Sequence, residues 1–562
     1  MNNPVFECVY SCGGREYTLT GSKSEFMDAD ISITDSEVKI SLLPKTFVKL
    51  LSAKIRWSQD YVACSKFFAN GYQSWSTSRE YTKVDFQRGA ATLPGVKAVG
   101  QLAGISGDIN IAGNETKAGR FHSFTYAYIK NSDDILLIGS LSERSGFTII
   151  RADMNSGTLT CDKDVEGVAT DKPYELYNLV ILNGAYNEVF DKYFSLWNIP
   201  EEKCDHLAGY TSWYNYFQNI NEKQILRDLK AMDSVSEDIN IFQVDDGYET
   251  FVGDWLDLNP VKFPHGMKFI ADNIHKKGYM AGIWLAPLNV QTKSRTAREH
   301  PDWLIKAPNG KPDVSCLGWG GAYTLDMYIP EVREHIKHFF DVILNIWGYD
   351  MVKLDFLYSQ CRWPRYNKSR GQLMCEAMEF LRECCGDKLI LGCGVPLGAA
   401  FGYVDACRIS CDVSKNYSGD FYTPLKLNVE VPSAQMAINN SLFRRHLNHR
   451  VFLNDPDVFF LRYTNVRFNI KQKLLLGAVN NICGDVLFVS DNMKEYKPND
   501  IIAARKLFAR SDYKVEDVNI VENGKKYLVK LRDKDGNTRM LWFRLATGYG
   551  NQNKVMDLTE TR

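Results

Sequence analysis

The chain lacks the features that would mark it as secreted, membrane-spanning or bound to nucleic acid. Its N-terminus has neither a basic segment nor an apolar core, and no apolar run reaches the roughly 18 residues of a membrane span. The formal net charge is only −1, so electrostatics do not favour a nucleic acid or an anionic membrane surface as partner. We therefore expect a cytoplasmic protein that binds neither.

Metal-ligand and disulfide patterns are also missing. The 14 cysteines are scattered and none forms a Cys-x-x-Cys pair, which predicts reduced thiols rather than a zinc site or cross-links. Only nine histidines are present, and none is spaced His-x-His or follows a predicted barrel strand. We therefore predict no metal and no cofactor, which disfavours a metal-dependent barrel hydrolase.

What the chain does have is length and a changing pattern of secondary structure. With 562 residues it is too long for one hydrophobic core, and roughly two to four domains are expected. Residues 1–205 carry short β-type runs between turn residues, which predicts an N-terminal β-sandwich. Residues 206–496 alternate strands with amphipathic helices, as in a central (β/α)8 TIM barrel with insertions. Residues 497–562 predict a small C-terminal β-domain.

Two aspartates follow apolar runs that are typical of buried barrel strands. Asp355 closes the run at 349–355, and Asp412 closes the run at 404–412. Both fall where a strand gives way to a loop, and in a parallel barrel that end is the catalytic face. Because two facing carboxylates suffice to cleave a glycosidic bond, we predict a glycoside hydrolase. A non-catalytic sugar-binding protein of the same fold should lack one of the two.

Further polar residues collect at the same ends of the predicted strands. Asp245 and Asp246 follow strand two, and Lys353 lies two residues before Asp355 on strand four. A spacing of two turns Lys353 and Asp355 to the same side of their strand. A lysine that faces into a barrel needs an ion partner or a ligand, because burying it alone is costly. The lysine should favour the ionised form of Asp355, which a nucleophile requires.

The motifs at these strand ends recur in a definite order. They comprise Gln-Val-Asp-Asp-Gly-Tyr at 243–248, Gly-Asp-Trp at 253–255 with Lys-Phe-Pro-His-Gly at 262–266, and the segments 282–287, 353–355, 391–397, 408–412 and 453–457. Upstream, Asn-Gly-Tyr-Gln-Ser-Trp-Ser occupies 70–76. In this order the motifs resemble the retaining α-galactosidases of glycoside hydrolase family 36. That family shares a clan with the α-galactosidases and α-N-acetylgalactosaminidases of family 27.

The resemblance implies a role for each of the selected residues. Asp355 is similar to the family's nucleophile and Asp412 to its general acid/base, which must begin the cycle protonated. For retention, the two carboxyl groups should lie about 5–5.5 Å apart. The remaining implied contacts are with the sugar: Asp245 and Asp246 with O4 and O6, Lys353 and Arg408 with other hydroxyls, Trp75 and Trp284 as pocket walls, and Cys393 with Arg408 near C2. Cys411 departs from the Pro or Ser that family members often carry before the acid/base, and we interpret it as a small buried residue.

The resemblance leaves several alternatives open for the substrate. An arginine near C2 favours plain, terminal α-galactosides over N-acetylgalactosaminides. An α-N-acetylgalactosaminidase, a transglycosylase of the raffinose-synthase kind and another α-glycosidase of the clan are the alternatives. The partner is therefore a small-molecule or oligosaccharide α-galactoside, and the family often forms dimers to tetramers. The carbohydrate joined to galactose is not readable from the sequence.

Overall fold

The computed structural model describes residues 1–87, 107–108, 110–113, 115, 117–233, 235, 238–419, 430, 432–522 and 524–558. An antiparallel β-sandwich is followed by a parallel eight-stranded sheet that nearly closes into a barrel, and then by a small antiparallel sheet. The predicted fold class, a TIM barrel flanked by two β-regions, is confirmed.

The N-terminal region contributes two seven-stranded antiparallel sheets. Its strands are β1 (Asn2–Cys12), β2 (Arg15–Leu19), β3 (Met27–Ile33), β4 (Glu37–Pro44), β5 (Val48–Ser58), β6 (Lys66–Ala69), β7 (Arg79–Tyr81), β8 (Arg120–Phe124), β9 (Tyr126–Lys130), β10 (Asp134–Ser140), β11 (Thr148–Asp153), β12 (Thr158–Lys163), β13 (Ala169–Thr170) and β14 (Tyr174–Ala185). Alternate residues of β5 are buried, as expected of a strand with one face on the core. The core between the sheets includes Ile40, Ile55 and Phe67.

Eight parallel strands form the barrel, and three short strands are inserted after its third. In chain order they are β15 (Leu207–Thr211), β16 (Ile241–Val244), β17 (Met280–Leu285), the inserted β18 (Asn289–Gln291), β19 (Val314–Cys316) and β20 (Ala322–Thr324), then β21 (Met351–Leu354), β22 (Leu389–Gly392), β23 (Ala406–Arg408), β24 (Leu453–Asp455) and β25 (Val486–Val489). Nearly every residue of the eight barrel strands is buried, because helices cover one face and side chains fill the other. Gly209 in β15 is required by packing, since a Cβ there would lie 1.8 Å from the Ile241 carbonyl oxygen.

The strand order around the barrel is β24-β23-β22-β21-β17-β16-β15-β25. The two end strands, β24 and β25, lie against each other and bring the sheet close to closure. The sequence predicts barrel strands at 208–213, 239–244, 279–286, 351–355, 389–394, 406–411, 451–453 and 485–489, and all eight observed strands lie within a few residues of these positions. Strand β23 is shorter than predicted, because it ends at Arg408 instead of running to Cys411. Asp412 therefore lies in the loop beyond the strand.

Most of the helices connect the barrel strands and cover the outside of the sheet, whereas the first packs on the N-terminal strands β10 and β14 and the last follows the C-terminal sheet. They are α1 (Tyr186–Ser195), α2 (Trp213–Tyr216), α3 (Glu222–Met232), α4 (Gly266–His275), α5 (Arg295–Glu299), α6 (Pro330–Asp341), α7 (Arg370–Cys385), α8 (Leu397–Ala400), α9 (Ala434–Phe443), α10 (Ile470–Cys483), α11 (Pro498–Phe508) and α12 (Gln552–Val555). Short 3-10 turns lie at Pro301–Trp303, Gly318–Gly320, Leu357–Cys361, Arg445–Leu447 and Met493–Glu495, and a π turn at Val342–Ile346 extends α6. None of the helices in the described ranges is long and apolar enough to cross a membrane.

Capping side chains fix where several of these helices begin. Asn221 accepts from the Gln224 backbone N–H at the start of α3, and Ser369 accepts from that of Gln372 at the start of α7. At α10, Asn469 and Gln472 satisfy each other's backbone N–H groups in a capping box. These signals are local, and the predicted helices at 222–232, 368–384 and 468–479 agree with the observed bounds within a few residues.

The C-terminal region forms a four-stranded antiparallel sheet. Its strands are β26 (Lys514–Val521), β27 (Lys526–Arg532), β28 (Thr538–Arg544) and β29 (Tyr549–Gly550). The β27–β28 hairpin was predicted from the Asp-Gly-Asn turn between the strands. Tyr527 on β27 donates a hydrogen bond to Asn439 of α9, which attaches this sheet to the barrel.

The N-terminal region contacts the barrel through the segment 70–78. The fully buried guanidinium of Arg444, just after α9, donates to the carbonyl oxygens of Gln73 at 2.8 Å and Ser76 at 3.0 Å. Asn440 donates to the same Ser76 oxygen at 3.0 Å. These bonds hold the backbone of the segment over the barrel and place its Trp75 near the strand ends.

A second contact between the two regions is built around a histidine. His446 is buried, with its ring nitrogens 2.7 Å from the hydroxyls of Tyr126 on β9 and Tyr186 on α1. Burial lowers the pKa of His446 well below its usual value, so the imidazole is neutral. A neutral imidazole has one donor and one acceptor nitrogen, so it can bond both hydroxyls.

Candidate active site

Asp355 follows β21 directly and lies buried at the mouth of the barrel. Its backbone N–H donates to the Leu285 carbonyl, which continues the pairing of β21 with β17. One carboxylate oxygen accepts from the indole N–H of Trp284 at 3.2 Å, and the other accepts from the Phe356 backbone N–H at 2.8 Å. The carboxylate is therefore held from two sides.

Burial raises the pKa of Asp355 above its ordinary value. The charge of Lys353 and the hydrogen bond from Trp284 lower it, whereas the charge of Asp412 raises it further. The sequence predicted that Lys353 would favour the ionised form of Asp355, and the charge of Lys353 does lower the pKa of Asp355. Burial outweighs it, because the ammonium group makes its hydrogen bond elsewhere.

Lys353 forms its ion pair with Asp245, which follows β16. The Nζ–Oδ2 distance is 2.9 Å, and both side chains are buried. Burial lowers the pKa of Lys353, but the acidic groups around it, Asp245 first and then Cys393 and Asp355, together more than offset this, and the net shift is upward. The same carboxylate oxygen accepts from Gln243 at 2.8 Å, and Ser212 accepts from the Asp245 backbone N–H at 2.9 Å. The pair satisfies the need for an ion partner that the sequence predicted for Lys353.

Asp246 lies beside this pair and receives donors from two loops. Gln218 donates to both carboxylate oxygens at 3.1 Å, and the indole of Trp319 donates to one of them at 2.8 Å. Glu249 is also hydrogen-bonded to it. Burial first, and then the charge of Asp246, raise the pKa of Glu249 well above its usual value. Burial also raises the pKa of Asp246, whereas its hydrogen bonds with Glu249, Trp319 and Gln218 lower it.

Asp412 lies four residues beyond the end of β23, and its side chain is 40% exposed. Its carboxylate accepts from the Nη2 of Arg408 at 2.7 Å. The guanidinium of Arg408 is itself buried at the end of β23. The predicted i, i+4 relation of these two residues is thus a direct ion pair. A spacing of four residues usually brings two side chains together on a helix. Here the loop after β23 brings Asp412 back to Arg408 at the strand end.

Asp457 shares the same guanidinium. Its Oδ2 lies 2.8 Å from the Nη2 of Arg408 and accepts from the Val413 backbone N–H at 2.7 Å and from the Tyr214 hydroxyl. Burial raises the pKa of Asp457 to about 7, although the charge of Arg408 opposes this shift. Arg408 therefore lies between two carboxylates, one buried and one partly exposed.

The structure brings Trp75 to the barrel mouth although it belongs to the N-terminal region. Its ring lies 5.6 Å from that of Phe356 and 6.2 Å from that of Tyr358. Gly394, with φ of +57°, lies under the ring, where a Cβ would come within 3.1 Å of the indole. Because this close approach requires glycine, the Gly-Cys-Gly motif after β22 has a packing role next to Trp75.

Two cysteines lie next to these groups. The thiol of Cys393 is buried, 4.0 Å from the Nη1 of Arg408. Cys411 is also buried, and its thiol donates to the Ser433 carbonyl. Burial raises the pKa of Cys411 to about 12, so it is an unreactive thiol. This agrees with the interpretation of Cys411 as a small buried residue.

All selected residues meet at one end of the barrel, but the structure adds partners that the sequence did not place in the predicted site. They are Asp457, Tyr214, Trp319, Glu249 and Gln218. The Leu-Asn-Asp-Pro-Asp motif already contained Asp457, but nothing in it indicated contact with Arg408. Trp319 lies in a Gly-Trp-Gly-Gly turn with φ of +59°, an unusual conformation for a bulky residue. The glycines around Trp319 are therefore the sequence signal that could have indicated an unusual placement of this residue.

The sequence also offers Asp257 and Asp326, together with Asp457, as candidates for the surroundings of the site, and the first two lie apart from it. Asp257 pairs with Arg295 on an exposed surface at 3.2 Å, and Asp326 pairs with Arg365 at 3.3 Å. Over the described ranges, no three His, Cys, Asp or Glu side chains are grouped as metal ligands.

Part of the barrel region is similar in sequence to known proteins. Residues 210–370 match the family model Melibiase. The α-galactosidase Mel36A of Lactobacillus acidophilus is 32% identical over 124 residues, 21% of this chain and 16% of that protein. A protein of Flavonifractor plautii named A type blood α-D-galactosamine galactosaminidase is 31% identical over 134 residues, 22% of this chain and 12% of that protein. The matched part is thus a small fraction of these relatives' lengths.

The fold is also found among solved structures. The α-galactosidase TtGalA of Thermus thermophilus, solved with p-nitrophenyl α-D-galactopyranoside, superposes with a TM-score of 0.69. The superposition covers 94% of this chain and 98% of that one at 24% identity, a likeness that concerns the fold. Together with the family model, these matches confirm the resemblance that the sequence motifs predicted.

Proposed function

We propose that this chain, a member of glycoside hydrolase family 36, is an exo-acting α-galactosidase that retains the anomeric configuration. The observation that carries the proposal is the pair of carboxylates, Asp355 and Asp412, at the ends of β21 and β23. They interact electrostatically and have different surroundings. Such a difference allows one carboxylate to act as nucleophile and the other as acid/base.

In the first step Asp355 attacks C1 of the galactose ring while Asp412 protonates the departing oxygen. The donors from Trp284 and Phe356 fix the orientation of the attacking carboxylate. This orientation favours reaction because a positioned nucleophile avoids the entropy cost of a bimolecular encounter. The product of the step is galactose joined to Asp355 in the β-configuration, together with a free alcohol.

In the second step water attacks C1 from the side that the alcohol left. Asp412, having given up its proton, now takes one from this water. Its 40% side-chain exposure supports this role, because water can reach the carboxylate. Galactose leaves in the α-configuration, and Asp355 is regenerated.

The buried polar groups support recognition of a terminal sugar. Asp245, Asp246 and Lys353 present charged groups to sugar hydroxyls, and each is already hydrogen-bonded to the protein. A site that is built to hydrogen-bond hydroxyls discriminates strongly against sugars that lack them. Trp284 and Trp75 supply the apolar walls of the proposed pocket, and exo-action follows from a sugar held on so many sides.

Arg408 and Cys393 support the preference for plain galactosides. The guanidinium lies 4.0 Å from the Cys393 thiol, in the region proposed for C2. An acetamido group there would have to displace one of these two buried side chains. The named activity of the Flavonifractor plautii relative makes N-acetylgalactosamine the second candidate.

A panel of nitrophenyl glycosides tests the proposal: α-galactoside, α-N-acetylgalactosaminide, α-glucoside and β-galactoside. Release from the α-galactoside alone is expected. Proton NMR of the first sugar released should show the α-anomer before mutarotation. Release from the N-acetylated sugar would overturn the C2 assignment, and the β-anomer as first product would overturn retention.

Transfer of galactose to another sugar is the alternative outcome of the second step. A transglycosylase would form new oligosaccharides when an acceptor is added, at the expense of free galactose. The proposal predicts free galactose as the main product.

The proposal also includes a cytoplasmic location for the protein, which the presence of 14 free cysteines supports.

A further inference from the structure

A cavity of about 710 Å³ opens against Asp412. It is lined by Trp213, Phe217, Lys415 and Arg467, among others, and Asp412 is the acidic residue on its wall. The proposed general acid must lie within hydrogen-bond reach of the oxygen that leaves. The group attached to that oxygen therefore lies next to Asp412, and this cavity borders the same residue.

One wall of the cavity is aromatic. The rings of Trp213 and Phe217 lie 5.0 Å apart in an edge-to-face arrangement at 90°. Trp213 is half-buried at the start of α2, so part of its ring surface faces outward. Ligand sites commonly combine such apolar faces with a few polar groups that fix orientation.

The cavity also has two positively charged residues in its lining, Lys415 and Arg467. The backbone N–H of Arg467 donates to the backbone carbonyl of Lys415 at 2.8 Å. This bond joins the two chain segments, and both positively charged side chains belong to residues that line the cavity. The Lys415 Nζ donates to Asn465 at 3.0 Å and lies 4.3 Å from the centre of the Phe217 ring. Arg467 is exposed, and across the described ranges its guanidinium has no hydrogen bond or ion pair.

The sum of these charges depends on the state of Asp412. When Asp412 is protonated, as the proposed general acid must be, the described residues that line the cavity carry two positive charges and no negative charge. An arginine guanidinium matches the geometry of an oxyanion and can bond it through two parallel N–H groups. The chemistry on this wall therefore fits a ligand with an apolar face and a negative charge.

Resting on the proposed function, we propose that this cavity is the leaving-group subsite and that it selects galactosides whose aglycone carries an oxyanion, such as the carboxylate of a sugar acid. Arg467 is the specificity-determining residue, because its guanidinium is available for a new ion pair. Trp213 packs against the carbon chain of the aglycone.

Two substrates that differ in this charge test the inference. Melibionate is galactose joined to gluconate, and melibiitol is galactose joined to the uncharged open-chain glucitol. We expect kcat/KM to be about threefold to fivefold higher for melibionate, the size of an exposed ion pair. Added salt should bring the ratio toward one, because it screens exposed charges.

Two matched variants locate the effect. Arg467→Glu should invert the preference, so that melibiitol is cleaved faster than melibionate. Arg56→Glu makes the same change of charge on an exposed residue of β5 in the N-terminal sheet and should leave the ratio unchanged. The ratio of two substrates is the readout, because a loss of folding would lower both rates together.

Equal rates on the two substrates, or faster cleavage of melibiitol by the unmodified protein, would overturn the inference. So would an Arg467→Glu variant with an unchanged ratio. Nitrophenyl α-galactoside, assayed in parallel, separates this failure from failure of the proposed function. Cleavage of the nitrophenyl substrate without any charge preference would refute only the subsite, whereas no cleavage of any galactoside would refute both.

Discussion

Asp355 and Asp412 lie at two strand ends of one barrel, yet their surroundings are opposite. Asp355 is buried and is held by an indole N–H and a backbone N–H. Asp412 is 40% exposed in its side chain and is bonded to a guanidinium that it shares with Asp457. A nucleophile needs a fixed position, whereas an acid/base transfers a proton twice per cycle, first to the departing oxygen and then from water. The difference in surroundings therefore supports the two roles proposed for them.

The comparison also separates two ways of controlling a carboxylate. On the Asp355 side, burial and fixed donors decide the protonation state, and Lys353 contributes only through its charge. On the Asp412 side, the carboxylate is bonded to Arg408, which also contacts Asp457 and Tyr214. Substitutions around Asp355 should therefore affect the position of the nucleophile, and substitutions around Asp412 should affect proton transfer.

Removal of the Asp355 carboxylate should have the largest effect. Asp355→Ala leaves no nucleophile, and kcat should fall by roughly 10⁴-fold or more, as loss of a covalent nucleophile does elsewhere. Azide, which can occupy the vacated space, should partly restore turnover and form β-galactosyl azide. Formation of the α-azide would show that Asp355 is not the group that attacks C1.

Removal of the Asp412 carboxylate should have a smaller effect that depends on the leaving group. Asp412→Ala should lower kcat/KM by roughly 10²–10⁴-fold for substrates that need a proton on the departing oxygen. For a nitrophenyl galactoside the loss should be much smaller, because nitrophenolate leaves unprotonated. Equal losses on both kinds of substrate would contradict the role of Asp412 as acid.

Asp457→Asn should test the network on the Asp412 side. Arg408 would then act on Asp412 alone and favour its charged form, which cannot donate a proton. The alkaline limb of the kcat/KM profile should move to lower pH. The carboxyl of Asp457 has a pKa raised to about 7 by burial, so the unmodified protein should show an inflection near that pH that the variant lacks. We expect activity to fall by roughly 10–100-fold, the size of a positional defect.

A matched control for this variant exists in the same barrel. Asp326 also pairs with an arginine, Arg365, at 3.3 Å, and it is buried to a similar degree. Asp326→Asn should lower the melting temperature, because it leaves the charge of Arg365 without this partner. It should not move the alkaline limb. If both variants move the limb alike, the effect is general and Asp457 has no special link to Asp412.

Most of the fold could be predicted from local patterns. Buried barrel strands are continuous apolar runs, and capping residues such as Asn221 mark helix starts, so these elements were predicted within a few residues. The site residues followed, because they come directly after such runs. The end of β23 was misplaced, because Ile409 and Cys411 continue the apolar run although the hydrogen-bonded strand stops at Arg408.

The rest of the site depends on contacts between distant segments. Trp75 reaches the barrel because Arg444 bonds the backbone around it from about 370 residues away, as in the bond to Ser74. Backbone carbonyls carry no sequence signature, so no motif could reveal this contact. Lys353 was expected to act beside Asp355, which the spacing of two on one strand favours. Its partner is instead Asp245, two strands away across the barrel.

Trp284→Phe should give the smallest effect and tests the Asp355 side. The change keeps an aromatic ring but removes the N–H that donates to Asp355 at 3.2 Å. That bond lowers the pKa of Asp355 against burial, so the pKa should rise in the variant and the acid limb of kcat/KM should move to higher pH. A net hydrogen bond contributes about 0.5–1.5 kcal/mol, so the loss at neutral pH should be roughly threefold to tenfold.

Trp255→Phe is the matched control for the indole. Its ring packs edge-to-face on Trp284 at 5.8 Å and is equally buried, and among its described contacts is no bond to Asp355. This variant should lower stability through lost packing, because a smaller ring leaves a cavity. It should leave the acid limb in place. If instead Trp284→Phe keeps the acid limb of the unmodified protein, the indole N–H does not tune Asp355, and the contrast between the two carboxylates rests on burial alone.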